Sequence, residues 1–144
     1  MSFCLAQDNW IYYNKISNES ESLYSIWRID ENGENDIQIY ETGYLLDISA
    51  ESNSMLFTNY SYVLIYDLLA QTIDPLPIQA WIAKFTSDGL KIIYASQTEL
   101  FIYDIISQES VLISDIISYE SNFDYSPIDQ SVVFYEQNNI ALYN

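Results

Sequence analysis

The chain is patterned in short apolar runs of four to six residues, separated by clusters of Asn, Asp, Ser and Glu. Runs of this length, rich in Ile, Val, Tyr and Phe and bounded by turn-forming residues, predict β-strands. No stretch of ten residues carries an apolar stripe at the 3.6-residue helical period, so the pattern predicts an all-β protein.

The runs recur. Asp30, Asp67 and Asp104 lie 37 residues apart, and Asn144 follows 40 residues after Asp104. Each closes a similar strand: 25–30 (Ser-Ile-Trp-Arg-Ile-Asp), 62–67 (Tyr-Val-Leu-Ile-Tyr-Asp), 99–104 (Glu-Leu-Phe-Ile-Tyr-Asp) and 139–144 (Asn-Ile-Ala-Leu-Tyr-Asn). A second strand lies upstream at Trp10–Asn14, Met55–Asn59, Ile92–Ser96 and Val132–Glu136, which aligns Tyr12 with Phe57, Tyr94 and Phe134. The first copy is longer by eight residues, and the polar stretch Lys15 to Ser22 reads as a long hairpin loop.

A third strand precedes these. Leu46–Ser49 aligns with Ala83–Thr86 and Phe123–Ser126, and Met1–Cys4 falls on the same columns. One column is Phe3, Ile48, Phe85, Tyr125; a charged column is Asp47, Lys84, Asp124; a small column is Cys4, Ser49, Thr86, Ser126. Tight-turn sequences follow at Gln7-Asp8-Asn9, Glu51-Ser52-Asn53, Ser87-Asp88-Gly89 and Ile128-Asp129-Gln130. A weaker fourth strand is predicted over 36–41, 72–76 and 110–113, and the fourth copy has none.

Four antiparallel strands in a repeat of this length predict a β-propeller. The expected architecture is nearly four four-stranded blades, at about 1–43, 44–80, 81–118 and 119–144, forming part of a larger or oligomer-completed ring. Unpaired strand edges and exposed apolar faces at the flanks invite pairing with another chain.

The stretch Phe85-Thr86-Ser87-Asp88-Gly89-Leu90-Lys91-Ile92-Ile93-Tyr94 resembles the repeat of TolB-type, WD40-like propellers. Ser126-Pro127 supplies that family's Ser-Pro pair, with Asp129 one residue late, and 64–67 and 101–104 match its Asp-ending strand. The resemblance spans essentially the whole chain and implies architecture rather than activity. The Gly-His and Trp-Asp pairs of WD repeats are absent.

Composition narrows the chemistry. Fourteen Tyr, six Phe and three Trp favour strands. Four Lys and Arg against 21 Asp and Glu give a formal charge of −17, which disfavours nucleic acid and anionic membranes and favours basic partners. No apolar run reaches the roughly 20 residues of a membrane helix. The first ten residues lack a signal-peptide pattern, so the chain, if complete, is expected in the cytoplasm.

The chain has no His, which excludes Ser/His/Asp and Cys/His nucleophilic sets within it. Lys15, Lys84 and Lys91 fall at loop or strand-surface positions, away from any predicted pocket. Cys4 reads as a small buried thiol. Zinc is not expected with one Cys and no His, and no other metal or cofactor is predicted. The oxygen-rich stretch 30–36 lacks EF-hand spacing and reads as a hairpin turn. The periodic Asp30, Asp67 and Asp104 read as caps on turn amides. The sequons at Asn18 and Asn59 carry no weight without a secretion signal.

Aromatics opening the first strand of a blade, Tyr44, Trp81 and Tyr119, form a candidate partner-binding rim at the channel mouth; packing between blades is the competing role. The sequence therefore predicts a non-enzymatic scaffold for protein binding or assembly, with a protein partner or a second copy completing the ring. The alternatives are the propeller gate of an α/β-hydrolase peptidase whose catalytic part lies elsewhere, and a propeller that binds carbohydrate or another small ligand.

Overall fold

The computed structural model describes residues 3–5, 10–18, 23–115, 123–136 and 139–143. The turn at Gln7-Asp8-Asn9, the stretch 19–22, the predicted blade boundary at 118/119 and Tyr119 lie outside them. Among the described residues every regular element is a strand.

The strands form four antiparallel sheets, each ordered as in the chain. Sheet 1 holds β1 (Phe3–Leu5), β2 (Trp10–Asn18), β3 (Leu23–Asp30) and β4 (Ile37–Tyr40). Sheet 2 holds β5 (Tyr44–Ser49), β6 (Ser54–Thr58), β7 (Val63–Asp67) and β8 (Ile73–Pro75). Sheet 3 holds β9 (Ile82–Phe85), β10 (Lys91–Ser96), β11 (Glu99–Asp104) and β12 (Glu109–Ser114). Sheet 4 has three strands, β13 (Phe123–Tyr125), β14 (Val132–Glu136) and β15 (Asn139–Tyr143). The chain divides into two compact units, 1–79 with sheets 1 and 2 and 80–144 with sheets 3 and 4.

The periodic aspartates make the turns. Asp67 Oδ1 accepts the backbone N–H groups of Leu69 and Ala70, both at 2.8 Å. Asp104 Oδ1 accepts those of Ile106 and Ser107, both at 2.9 Å. Asp30 does the same for Asn32 and Glu34, and its second oxygen takes the Asn35 amide at 2.7 Å. The stretch 30–36 is thus a turn whose carboxylate faces backbone amides. The preceding hairpin turns place Asn53, Gly89 and Gln130 in the left-handed region, with φ of 49°, 67° and 58°, Gly89 one register position earlier than the other two. Only one of the three is glycine, because Asn and Gln also enter that region at modest cost.

Register defines the faces. In sheet 3 Ile93 lies opposite Ile102 and Ala95 opposite Leu100. Ile93, Ala95 and Leu100 pack on Phe123, Val132 and Phe134 of sheet 4 in one buried cluster. Sheet 1 meets sheet 2 in the same way: Tyr12 and Ile26 pack on Leu45, Met55, Phe57, Leu64 and Tyr66. Each unit therefore joins the front of one sheet to the back of the next. Asn14 reinforces the first join, its Oδ1 accepting the backbone N–H of Leu45 at 2.9 Å.

Three expectations for the first copy need correction. Tyr12 lies opposite Arg28, as Ile93 lies opposite Ile102, so Tyr12 corresponds to Ile93 rather than to Tyr94. Cys4 lies opposite Tyr12 and so takes the register position of the charged column, not of the small one. The extra residues also extend the hairpin, because β2 continues through Lys15 to Asn18 instead of giving way to a loop at Lys15. The longer ladder adds backbone hydrogen bonds that the polar composition of that stretch does not disfavour.

Candidate functional site

The second unit carries a cleft of about 520 Å³, lined by Ile82, Lys84, Phe123, Asp124, Val133, Phe134, Tyr135 and Ile140. Its charged centre comes from the column found in the sequence. Lys84 on β9 and Asp124 on β13 occupy equivalent positions on neighbouring inner strands, opposite Ile93 and Val133. The Lys84 ammonium donates to Asp124 Oδ1 at 2.7 Å. That contact, aided by the backbone N–H of Tyr125, holds the Asp124 carboxyl below the usual aspartate range. Lys84 shares the front of sheet 3 with Ile93 and Asp124 shares the front of sheet 4 with Val133, so the lysine reaches the carboxylate past the inner edge of sheet 4 at β13.

Beyond the ion pair the cleft opens onto the front face of sheet 4. Val133 lies opposite Leu142 and Tyr135 opposite Ile140. These four residues correspond to Ile93, Ile102, Ala95 and Leu100 of sheet 3 by register. Ile93, Ala95 and Leu100 are fully buried, whereas Val133, Tyr135, Ile140 and Leu142 are 39%, 43%, 80% and 59% exposed. The front of sheet 4 is thus an exposed apolar surface with the same residue character as a buried one.

Of the predicted aromatic rim, Tyr44 and Trp81 lie among the described residues. Tyr44 begins β5 and stacks edge-on against Tyr24, with centroids 5.4 Å apart and planes at 79°. The Tyr60 hydroxyl accepts the Tyr24 backbone N–H at 3.1 Å. Tyr44 thus helps close the join between sheets 1 and 2. Trp81 directly precedes β9 and is 37% exposed. Tyr119 lies outside the described residues, and Tyr44 and Trp81 belong to different units. Exposed apolar faces at the flanks were expected from the sequence, but not which residues form them, because Val132 to Tyr135 are apolar or aromatic on both faces. The signal was in the columns: Val133 and Ile140 repeat Ile93 and Leu100.

A further aromatic cluster lies on the back of sheet 1. Lys15 stands 4.1 Å over the Trp27 ring and 3.4 Å from Asp36 Oδ2. The Tyr13 hydroxyl donates to Asp36 Oδ1 at 2.5 Å. Burial first, then the hydrogen bond and charge of Asp36, push the Tyr13 phenol up to about 12. A phenol so placed acts as a hydrogen-bond donor and not as a base at neutral pH. Among the described residues no group of three or more Cys, Asp or Glu is arranged to hold a metal ion.

No protein-family model matches the sequence, and no curated protein matches it. Solved structures do. TolB from Acinetobacter baumannii is similar with a TM-score of 0.72 and 15% identity, over 94% of this chain and 38% of that one. The β-propeller domain of the Trilobed protease from Pyrococcus furiosus, described as having an open velcro topology, gives 0.66 and 11%, over 99% and 54%. Oligogalacturonate lyase from Vibrio parahaemolyticus gives 0.68 and 15%, over 93% and 44%. The chain spans less than two thirds of the length of each. Successive antiparallel sheets joined front to back, Asp-capped hairpins and these likenesses together give the chain the fold of part of a TolB-like β-propeller.

Proposed function

We propose that this chain is a non-enzymatic propeller scaffold that binds a protein through the front face of sheet 4. The observation that carries the reading is the exposure of Val133, Tyr135 and Ile140 at positions whose counterparts in sheet 3, Ile93, Ala95 and Leu100, are interior. The Lys84–Asp124 pair at the inner edge of that face supplies a polar contact of defined geometry beside the apolar area. Interfaces combine these two elements, an apolar centre and a polar margin. The formal charge of −17 favours a partner with basic residues around its apolar contact.

The reading is tested by presenting the immobilised chain to a peptide library and to a set of oligosaccharides that includes oligogalacturonate. Peptides pairing apolar with basic residues are expected to bind, and Ile140→Asp is expected to abolish that binding. Saccharide binding or cleavage by the chain, with no peptide held at this face, would overturn it.

A further inference from the structure

The chain carries both halves of the interface that it forms inside each unit. One half is the exposed front of sheet 4. The other is the back of sheet 1. Backs that pack on a preceding sheet use four register positions: Met55, Phe57, Leu64 and Tyr66 in sheet 2, and Val132, Phe134, Ala141 and Tyr143 in sheet 4. Sheet 1 places Ile11, Tyr13, Trp27 and Ile29 at those same positions, Ile11 opposite Ile29 and Tyr13 opposite Trp27. All four are only half-buried. The half-buried back of sheet 1 and the exposed front of sheet 4 thus carry apolar residues at the register positions that meet in each unit's own join.

We propose that the front face of sheet 4 seats the back face of sheet 1 from a second copy of this chain. The inference rests on the reading of that front face as a protein-binding surface and names its occupant from the matching register positions, against the preference of the −17 charge for a basic partner. The contact is head to tail: the two faces differ, so each copy offers one of each. It repeats the join between sheets 3 and 4, with Ile11, Tyr13, Trp27 and Ile29 taking the places of Val132, Phe134, Ala141 and Tyr143. Most of each face is uncharged; on the back of sheet 1 Lys15 lies over Trp27 and Asp36 accepts from the Tyr13 hydroxyl, so this pair must rearrange as the incoming front seats, and Lys84 and Asp124 lie beside the front of sheet 4. Each copy bears a formal charge of −17, so salt should tighten the association by screening the repulsion between copies.

Sedimentation velocity of the full 144-residue chain across a concentration series tests the proposal. The expected mass is at least twice the 16.8 kDa of one chain, rising with ionic strength. Ile140→Asp on the front and Trp27→Asp on the back should each give a monomer. Mixing the two variants should restore a dimer, because one retains an intact back and the other an intact front. Circular dichroism checks that each variant folds; Leu142→Asp and Ile11→Asp replace either one that does not. A wild-type chain that stays monomeric at all concentrations overturns the proposal, as does self-association that survives Trp27→Asp. Either result leaves peptide capture by the front face as a separate measurement, so the two readings fail independently.

Discussion

The ammonium of Lys84 sits 2.7 Å from Asp124 Oδ1, joining two inner strands whose residues lie 40 apart in the chain. The pair is the physical form of a column visible in the repeats. Asp124 is 81% exposed and Lys84 34%, so water and salt screen the attraction. Lys84→Met is therefore expected to cost no more than about 1 kcal/mol of stability. Its clearer signature is the titration of Asp124. The lysine holds that carboxyl low, so the pair stabilises the fold above the ordinary aspartate pKa and is lost as pH falls through the folded value. In Lys84→Met the Asp124 titration, followed by carboxyl NMR, should move up. An unmoved titration would show that the pair does not persist in solution.

The periodic carboxylates make a similar prediction about acid. Hydrogen bonds from backbone N–H groups, led by Ser107 for Asp104 and by Glu34 for Asp30, lower both carboxyls. Their contribution is full above the unfolded aspartate pKa of about 3.9 and disappears as pH falls below it. Asp104→Ala should lower Tm at pH 7, Asp104→Asn should lower it less because one acceptor oxygen remains, and toward pH 2 the wild-type curve should fall onto that of Asp104→Asn while the two variants keep their separation. A wild-type curve that stays parallel to both would mean that the carboxylate does not cap the turn.

Leu100 and Ile140 occupy the same register position in successive sheets, yet one is fully buried and the other 80% exposed. Leu100→Ala should therefore cost about 2–5 kcal/mol through lost burial and the cavity left behind. Ile140→Ala, measured at a dilution where the chain is monomeric, should stay within about 0.5 kcal/mol. Denaturant titration of both variants checks the contrast, and equal losses would contradict the exposure of the front of sheet 4.

The repeats, the strand assignments and the Asp caps were legible because each depends on local chemistry. Asp104 needs only the amides of the next few residues, and Asp-Gly at 88–89 makes its turn unaided. The first copy misled for a physical reason. From Trp10 to Tyr13 every residue is apolar or aromatic, so no alternation fixes which face each one takes, and a one-residue slip exchanges the faces. The insertion after Asn14 removed the spacing that would have set the register. The aromatic rim was legible as residue type but not as contact: the edge-on meeting of Tyr24 with Tyr44 depends on two different sheets. Which residues form the exposed front of sheet 4 was hidden because propeller strands are apolar on both sides, and only the structure distinguishes a covered side from an open one.

Gly43 tests how closely sheets 1 and 2 meet. Its backbone N–H donates to the Tyr24 carbonyl at 2.7 Å, in the turn that carries the chain from β4 to β5. A Cβ added there would stand 2.8 Å from the Thr58 carbonyl oxygen, 3.2 Å from the Tyr40 ring and 3.3 Å from the Phe57 ring. The Thr58 carbonyl belongs to the backbone of β6 and cannot swing aside, so the turn itself must shift. Gly43→Ala is expected to destabilise by about 1–3 kcal/mol, the range of overpacking. Gly33 offers the control. It has φ of +78° and nothing within 4 Å of an added Cβ, so its requirement is conformational rather than steric. Asn enters the left-handed region more readily than Ala, so Gly33→Asn should be tolerated better than Gly33→Ala. At position 43 the order should reverse, with Asn worse than Ala because it is larger. Thermal melts of the four variants check both orders, and a neutral Gly43→Ala would show that the two sheets meet less tightly than described.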